Sequence, residues 1–413
     1  MRSDFILLLG YGMQGKAALF DLCNSGRTEE IIVVDCNPNI DQEIRLLGFS
    51  NAKGINIDAS NKEKIKGLIQ KASLVVELLP ASMALEIAQI AIEVGTNLVR
   101  SGYLGNPGET NPSKIMEQEK RLIHLNNQAQ EKGVTVLREF GMDPGIDLVL
   151  GNKALSELDD VKVFHSYGAG FPSLSSDKNP LRYKFSWSPI GVMKSYFRPA
   201  KIIRDGKFIE IPAIEQFSSQ NMHLLRIDEL EEDLECYPNG DSVRFAQEFG
   251  LLNQVESMGR YICRWPGHGF FWERMAKCGF LSEDPIRCGE IDLVPVEFCA
   301  SLLNSQKQFF YGDDESDVAL IRIDVRGFRS GVPVRVIYQM IDKRDFNTGF
   351  TAMQRTVGFP VSIGAQMILD GEISKKGIVG PKEVPFDYFM IELKKRGLEF
   401  KRLESVWDGS LDP

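Results

Sequence analysis

The sequence predicts an α/β protein in which a doubly wound parallel sheet opens the chain and a mixed α+β domain follows. Three observations point there. Short apolar runs alternate with amphipathic helical stretches over the first 145 residues. A glycine-rich turn follows directly on the first of those runs. After Gly145 the texture changes to strand-like segments separated by aromatic, Pro- and Gly-rich loops.

Ile6 to Leu9 is a short apolar run that ends on glycine. Residues 13 to 25 place Ala17, Leu19, Phe20 and Leu22 at helical spacing, with Gly26 as the stop. Ile31-Ile32-Val33-Val34 suits a buried parallel strand, and Ile55 to Asp58 reads as a third. Leu74 to Leu79, stopped by Pro80, is the fourth; a helix over about 83–94 leads to Asn97–Val99, the fifth. A polar-faced helix near 112–132 precedes Val134 to Leu137, the sixth. Beyond residue 145, Val161–Ser166, Leu320–Val325 and Val334–Met340 read as strands, the last two as a hairpin. A helix resumes around Thr351–Gly371, and Pro385–Arg396 forms another.

At 413 residues the chain exceeds what one hydrophobic core supports, so two domains are expected. With 43% hydrophobic and 25% charged residues it reads as an ordinary globular protein. No apolar run approaches the roughly 18 residues needed to span a bilayer. Phe5–Leu9 reads as a strand rather than a signal peptide, because a basic leader and a small-residue cleavage site are both missing. A formal net charge of -9 argues against nonspecific binding to nucleic acid or anionic membranes. Seven scattered cysteines, with no C-x-x-C and no histidine at zinc-ligand spacing, predict reduced thiols, no metal site and a cytoplasmic location.

Gly10-Tyr11-Gly12-Met13-Gln14-Gly15 matches G-x-G-x-x-G. The pattern alone is weak in a chain with 37 glycines, but here it follows a strand and opens a helix. Gly10 permits the tight turn, Gly12 lets backbone approach a pyrophosphate, and Gly15 allows helix to pack on strand. The helix N-terminus then offers its positive dipole end to phosphates. Asp35, twenty positions beyond Gly15, ends the second strand. A carboxylate there accepts from ribose hydroxyls and repels a 2′-phosphate, and Cys36, Asn37 and Pro38 supply no cation to hold one. The expected cofactor is therefore NAD, in a Rossmann domain spanning 1–145. Asp58 and Ala59 after the third strand, and Leu79 and Pro80 after the fourth, are expected along the same edge.

Further segments resemble the saccharopine dehydrogenase family of the glutamate-forming type. They are Ser101-Gly102-Tyr103, Gly141-Met142-Asp143-Pro144-Gly145-Ile146-Asp147, and the run from Asn179 to Ser188. Tyr237-Pro238-Asn239-Gly240-Asp241-Ser242, Arg264-Trp265-Pro266-Gly267-His268 and Thr356-Val357-Gly358-Phe359-Pro360 complete the series. The resemblance implies an α+β substrate-binding and dimerisation domain over 146–350 and C-terminal helices over 351–413 returning to the first domain. It also implies a homodimer acting on a small amino-acid substrate. The implied chemistry is oxidative cleavage of a secondary amine: hydride leaves the carbon next to nitrogen for the nicotinamide, and water hydrolyses the resulting imine to aldehyde and amino acid.

On that resemblance Tyr103 and Asp143 line the reaction centre, Ser101 borders the substrate with them, Arg264 holds a substrate carboxylate, and Ser101, Asp143, Trp187 and Ser188 approach the cofactor. A bland reading stands beside each. Asp143 also suits a turn before Pro144, Tyr103 and Phe185 suit core packing, Arg264 suits a structural ion pair, Asp147 a helix brace, and His268 a turn. Three departures from fungal, NADP-specific relatives stand out: Asp35 replaces a cation, Gly168 a reaction-centre cysteine, and Gly240 a substrate-carboxylate arginine. Arg244, one helical turn on, is a substitute within reach. The leading reading is NAD-dependent cleavage of saccharopine to glutamate and 2-aminoadipate 6-semialdehyde, or the reverse condensation. Gly240 keeps open a related opine-like or carboxyspermidine-type dehydrogenase. A non-catalytic NAD-binding scaffold is a third reading, against which Tyr103, Asp143 and Arg264 together count.

Overall fold

The computed structural model describes residues 5–27, 29–109 and 111–413. Two compact units divide the chain: Met1–Val149 with Gln354–Leu398, and Leu150–Met353 with Glu399–Pro413.

In the first unit, β1 (Phe5–Leu9), β2 (Glu30–Asp35), β3 (Ala52–Asn56), β4 (Leu74–Glu77), β5 (Asn97–Arg100) and β6 (Thr135–Leu137) follow one another with helical crossovers. They pair in parallel in the order β3-β2-β1-β4-β5-β6. Every residue of β1 is buried, as a strand covered on both faces by helices requires. Local chemistry sets the helix ends. Asn111 accepts from the N–H groups of Ser113 and Lys114 at the head of Pro112–Glu131, and Gly95, at φ 78°, ends Ala84–Val94. Strand order reverses between β1 and β4, and that reversal opens a crevice at the carboxyl ends of the strands, where ligands bind in such sheets.

A seventh strand, Gly377–Val379, pairs in parallel with the free edge of β6. The sequence reading counts six because this segment is three residues long and lies between lysines and a glycine. The returning segment packs closely on the first domain. A Cβ at Gly358 would lie 2.7 Å from the Ala17 Cβ, so helix Ala352–Leu369 meets helix Met13–Asn24 at a glycine. Phe140 and Phe389 pack with ring centroids 4.9 Å apart. Asp21 accepts from Ser362 Oγ at 2.6 Å and from both Nε (2.5 Å) and Nη2 (3.0 Å) of Arg396.

The second unit is built on a nine-stranded mixed sheet. Its strands begin with β7 (Asp160–Pro172), β8 (Ala200–Arg204), β9 (Lys207–Ile211), β10 (His223–Leu225), β11 (Leu234–Pro238) and β12 (Ser257–Arg264). After a small hairpin, β13 (Ile286–Cys288) and β14 (Ile291–Leu293), come β15 (Asp317–Arg329) and β16 (Val332–Lys343). The expected hairpin of β15 and β16 forms, and β15 pairs antiparallel with β7. Lys401–Ser405 pairs with β16, so the last residues belong to this unit, not to the returning segment. All five residues of that strand are exposed, which leaves its sequence no apolar pattern to read.

Residues alternate across the two faces of this sheet. Tyr261 and Cys263 of β12 join a core with Tyr167, Cys236 and Leu320. Ile262 packs on the opposite side, against a core containing Tyr183, Tyr196, Tyr237 and Trp272.

Candidate nucleotide and substrate sites

At the end of β1, Gly10 adopts φ 96° and donates its N–H to the Val34 carbonyl at 2.9 Å. A Cβ there would lie 2.7 Å from the Leu78 carbonyl oxygen, and one at Gly15 only 2.2 Å from that of Gly10. Neither position tolerates a side chain. Gly12 differs, since a Cβ there would meet nothing within 4 Å. This open face stands at the N-terminus of helix Met13–Asn24, which no side chain caps. Glycine is thus needed at Gly10 and Gly15 for packing, while Gly12 leaves the backbone open at the head of the helix. A phosphate-bearing ligand fits that cradle.

Asp35 lies beside the same turn. Its Oδ2 accepts from the Tyr11 N–H at 2.7 Å and its Oδ1 from the Asn37 N–H at 2.9 Å. These bonds lock the carboxylate next to the glycine loop, and each oxygen keeps further acceptor capacity. Tyr11 is largely buried, which pushes its phenol up to about 12, and Lys16 Nζ lies 5.5 Å from its ring centroid. Met13 and Gln14 form the helix's first turn; the Met13 carbonyl accepts from Gln354 Nε2 at 3.0 Å. Cys36 is exposed. Asp58 is exposed and held below the usual carboxylate range by the N–H of Ser60, while Ala59 packs on the core.

The remaining loops of the sheet's carboxyl edge are laced together. Glu77 and Arg100 are partners in the register of β4 and β5, and their side chains form an ion pair. Glu77 Oε1 accepts from the Leu79 N–H at 2.9 Å, fixing the turn into Pro80. Arg100 Nε donates to the Gly102 carbonyl at 3.0 Å, and the Glu139 N–H donates to that same oxygen at 3.1 Å. The Phe140 N–H donates to the Arg100 carbonyl, and a Cβ at Gly141 would lie 3.2 Å from that of Ser101. The fold therefore brings Ser101–Tyr103 alongside the strand leading to Asp143, as sequence position suggests. Tyr103 and Asp143 are both half-buried. Asp147 is fully buried and accepts from the Gly145 N–H at 2.8 Å, in keeping with a helix brace. Sequence reasoning missed Glu77 and Arg100. Their signal is faint: two charged residues, each closing an apolar run.

The other predicted residues lie in the second unit. Trp187 is half-buried, its ring over Gly191, and Ser188 caps helix Pro189–Ser195. Arg264 is 6% exposed, at the end of β12. Its Nη1 donates to the Cys263 carbonyl at 2.9 Å, its guanidinium lies 4.9 Å from the Tyr183 ring centroid, and its buried Nε meets no acceptor. It forms no ion pair among the described residues, which leaves a structural salt bridge without support. Burial opposes its charge, while the hydroxyls of Tyr237, Tyr183 and Tyr196 around it more than offset that and hold its pKa above the ordinary value. His268 Nε2 lies 3.0 Å from Tyr196 Oη, and burial with Arg264 nearby holds this imidazole well below its ordinary pKa. The Gly267 and Gly269 N–H groups both donate to Glu235, so the turn is held by that carboxylate. Arg244 Nε donates to Glu248 at 3.0 Å, its guanidinium 4.7 Å from the Phe245 ring centroid.

Residues 6–137 match the saccharopine dehydrogenase NADP binding domain, and residues 141–398 match the saccharopine dehydrogenase C-terminal domain. The chain belongs to the saccharopine dehydrogenase family. Among curated relatives it is 25% identical to alpha-aminoadipic semialdehyde synthase, mitochondrial, of Rattus norvegicus, over 97% of this chain and 48% of that protein. The chain thus spans about half the length of the synthases it matches. It is 24% identical to a Schizosaccharomyces pombe saccharopine dehydrogenase [NADP(+), L-glutamate-forming], over 96% of this chain and 98% of the relative. Among solved structures, the apo saccharopine dehydrogenase (L-Glu forming) from Saccharomyces cerevisiae superposes with a TM-score of 0.80 at 22% identity, covering 98% of this chain and all of the other. That likeness bears out the expected fold: a parallel sheet of Rossmann order followed by a mixed sheet. No helix among the described residues is long and apolar enough to cross a membrane.

Proposed function

We propose that this chain is an NAD-dependent oxidoreductase that cleaves saccharopine to glutamate and 2-aminoadipate 6-semialdehyde, or runs the reverse condensation. The observation that carries the nucleotide half is the open Gly12 face beside a carboxylate, Asp35, locked by two backbone N–H groups. Family membership over nearly the whole chain supports the substrate half. The nucleotide-binding domain family that the chain matches and the fungal relatives are named for NADP. The choice of NAD rests on Asp35, whose charge opposes a 2′-phosphate, and on the lack of a cation at Cys36, Asn37 and Pro38.

Bound NAD supplies an acceptor for the hydride that leaves the carbon next to nitrogen. The balance is saccharopine, oxidised nicotinamide and water giving glutamate, semialdehyde, reduced nicotinamide and one proton. Gly10 through Gly15 hold the pyrophosphate, Asp35 the ribose, and Asp58, Ala59, Leu79 and Pro80 border the cofactor, with Ser101, Trp187 and Ser188 as further contacts. Asp143 moves protons between the substrate nitrogen and water, with Tyr103 beside it. Arg264, with no carboxylate of its own, orients the substrate by one of the substrate's carboxylates. On the same reading the enzyme works as a cytoplasmic homodimer.

The test is the absorbance of reduced nicotinamide with saccharopine and either NAD or NADP. Turnover that is faster with NAD is the expected result. No turnover with either nucleotide, while polyamine conjugates are oxidised, would replace saccharopine as the substrate.

A further inference from the structure

Asp35 shares its end of β2 with a second carboxylate. Asn37, two residues on, joins the two. Its N–H donates to Asp35 Oδ1 at 2.9 Å, its Oδ1 accepts from the Asn39 N–H at 2.9 Å, and its Nδ2 donates to Glu43 Oε1 at 2.7 Å. One neutral side chain, engaged at both ends of its amide, thus bridges Asp35 and Glu43. The Glu43 N–H donates to the Asn39 carbonyl at 2.9 Å, so the glutamate is fixed to this loop by backbone as well as by side chain. Asp35, Asn37 and Glu43 are each half-buried and reachable from solvent.

The helix that carries Glu43, Ile40–Leu46, is seated firmly. Ile40 and Ile44 are fully buried. A Cβ on Gly54 of β3 would lie 2.6 Å from the Asp41 nitrogen and 2.7 Å from the Ile40 carbonyl carbon. A glycine in β3 therefore lets the first turn of this helix rest directly on the strand. From there Glu43 reaches back toward the glycine loop. Tyr11, whose N–H donates to Asp35, has a phenol raised first by burial and then by the Glu43 charge.

The two carboxylates lack a counter-ion of the chain's own. Asp41 is matched by Arg45 at 2.7 Å on the same helix, whereas Asp35 and Glu43 enter no ion pair among the described residues. Lys16, 5.5 Å from the Tyr11 ring centroid, pairs with neither. The edge at which a ribose 2′ substituent is read is therefore doubly negative. A ribose hydroxyl donates to such an edge. A 2′-phosphate, with a charge of about −1.5 to −2, is repelled by both carboxylates.

We propose that Glu43 is a second specificity-determining residue of the nucleotide site, acting with Asp35 to reject a 2′-phosphate. An arginine placed at 35 would meet Glu43 as well as the phosphate, so reversing Asp35 alone leaves part of the preference in place. The inference deepens the proposed function and rests on its placement of the adenosine ribose at Asp35.

Binding of NADH and NADPH to the full-length protein is measured by fluorescence titration at low and high salt. The wild type is compared with Glu43→Gln, Asp35→Arg and the double variant carrying both changes. Glutamine keeps an oxygen for Asn37 Nδ2 and removes the charge. Glu43→Gln is expected to lower the preference for NADH about 3- to 10-fold through tighter NADPH, the size of a like-charge repulsion acting through water over several ångströms. That difference from the wild type should shrink in 1 M salt, where charges are screened within about 3 Å. The double variant is expected to bind NADPH at least about 3-fold more tightly than Asp35→Arg alone. An unchanged NADH-to-NADPH ratio in folded Glu43→Gln overturns the proposal, as does a shift of equal size at every salt concentration or no gain in the double variant. If the wild type binds both nucleotides equally and Glu43→Gln still shifts the ratio, the NAD reading fails and the role of Glu43 stands. If the wild type prefers NADH and Glu43→Gln keeps that preference whole, the NAD reading stands and the role of Glu43 fails.

Discussion

Glu77 and Arg100 face each other across adjacent parallel strands as an ion pair that is 1% and 3% exposed. Through Leu79 on one side and Gly102 on the other, the pair ties together the two loops that follow its strands. Removing one member leaves the other charged in the protein interior. We predict that Glu77→Ala costs about 3–5 kcal/mol of stability. Replacing both members by apolar residues of similar volume should recover much of that loss. Denaturant midpoints of the single and double variants give the comparison, and a Glu77→Ala loss under about 1 kcal/mol would show that the pair does not hold these loops.

Asp35 governs nucleotide choice. We expect the wild type to bind NAD more tightly than NADP, and Asp35→Arg to narrow or invert that ratio, since a cation there attracts the 2′-phosphate. Fluorescence titration of both reduced nucleotides reads the ratio directly. Equal affinities in the wild type would sink the assignment.

Asp143 should matter to turnover far more than to nucleotide affinity. Asp143→Asn is predicted to lower kcat by about 100- to 10,000-fold, the usual range for general acid/base work. The dissociation constant for NAD should move little, because the pyrophosphate sits at the Gly10–Gly15 loop. Full activity across the pH range would reduce Asp143 to a turn residue.

Arg264→Lys keeps the charge but loses the fork and the contact with Tyr183. Saccharopine affinity should fall by at least about 10-fold while NAD affinity and fold persist. Amidating the substrate carboxylates one at a time identifies the partner: the variant's penalty should vanish for the analogue that lacks the gripped carboxylate. A uniform penalty for every analogue would refute the grip.

Burial keeps three of the four histidines neutral. His165 is lowered to about 3, His223 to about 4, and His268 lies well below its ordinary value, with desolvation the largest cause in each case. A histidine whose pKa is depressed on folding takes up its proton more readily when unfolded. Its contribution is therefore intact above the unfolded pKa near 6.5 and is lost as pH falls from there toward the folded value. Each such histidine weakens stability by about 1.4 kcal/mol per pH unit across that window. Unfolding midpoints should drop steeply between pH 6.5 and 4. His165→Asn, where the variant folds, should flatten the slope, and a pH-independent midpoint over this range would contradict the assignment.

The sequence by itself determined the strand-and-helix alternation of the first unit, the glycine loop and the place of Asp35. These depend on short-range physics: hydrophobic period, turn chemistry and a spacing counted within one strand–helix–strand unit. The long hairpin of β15 and β16 was legible for the same reason. The tertiary structure alone decided the rest. Gly377–Val379 becomes a strand only because β6 offers an edge, and Lys401–Ser405 enters the second unit only because β16 does. Glu77 meets Arg100 through strand register, which neither apolar run encodes. Arg198 reaches Gly240 because β8, which follows it, and a turn distant in sequence are bonded backbone to backbone. Missing side chains can be read in a sequence; which residue fills their space is set by packing between distant segments, and no local pattern carries that.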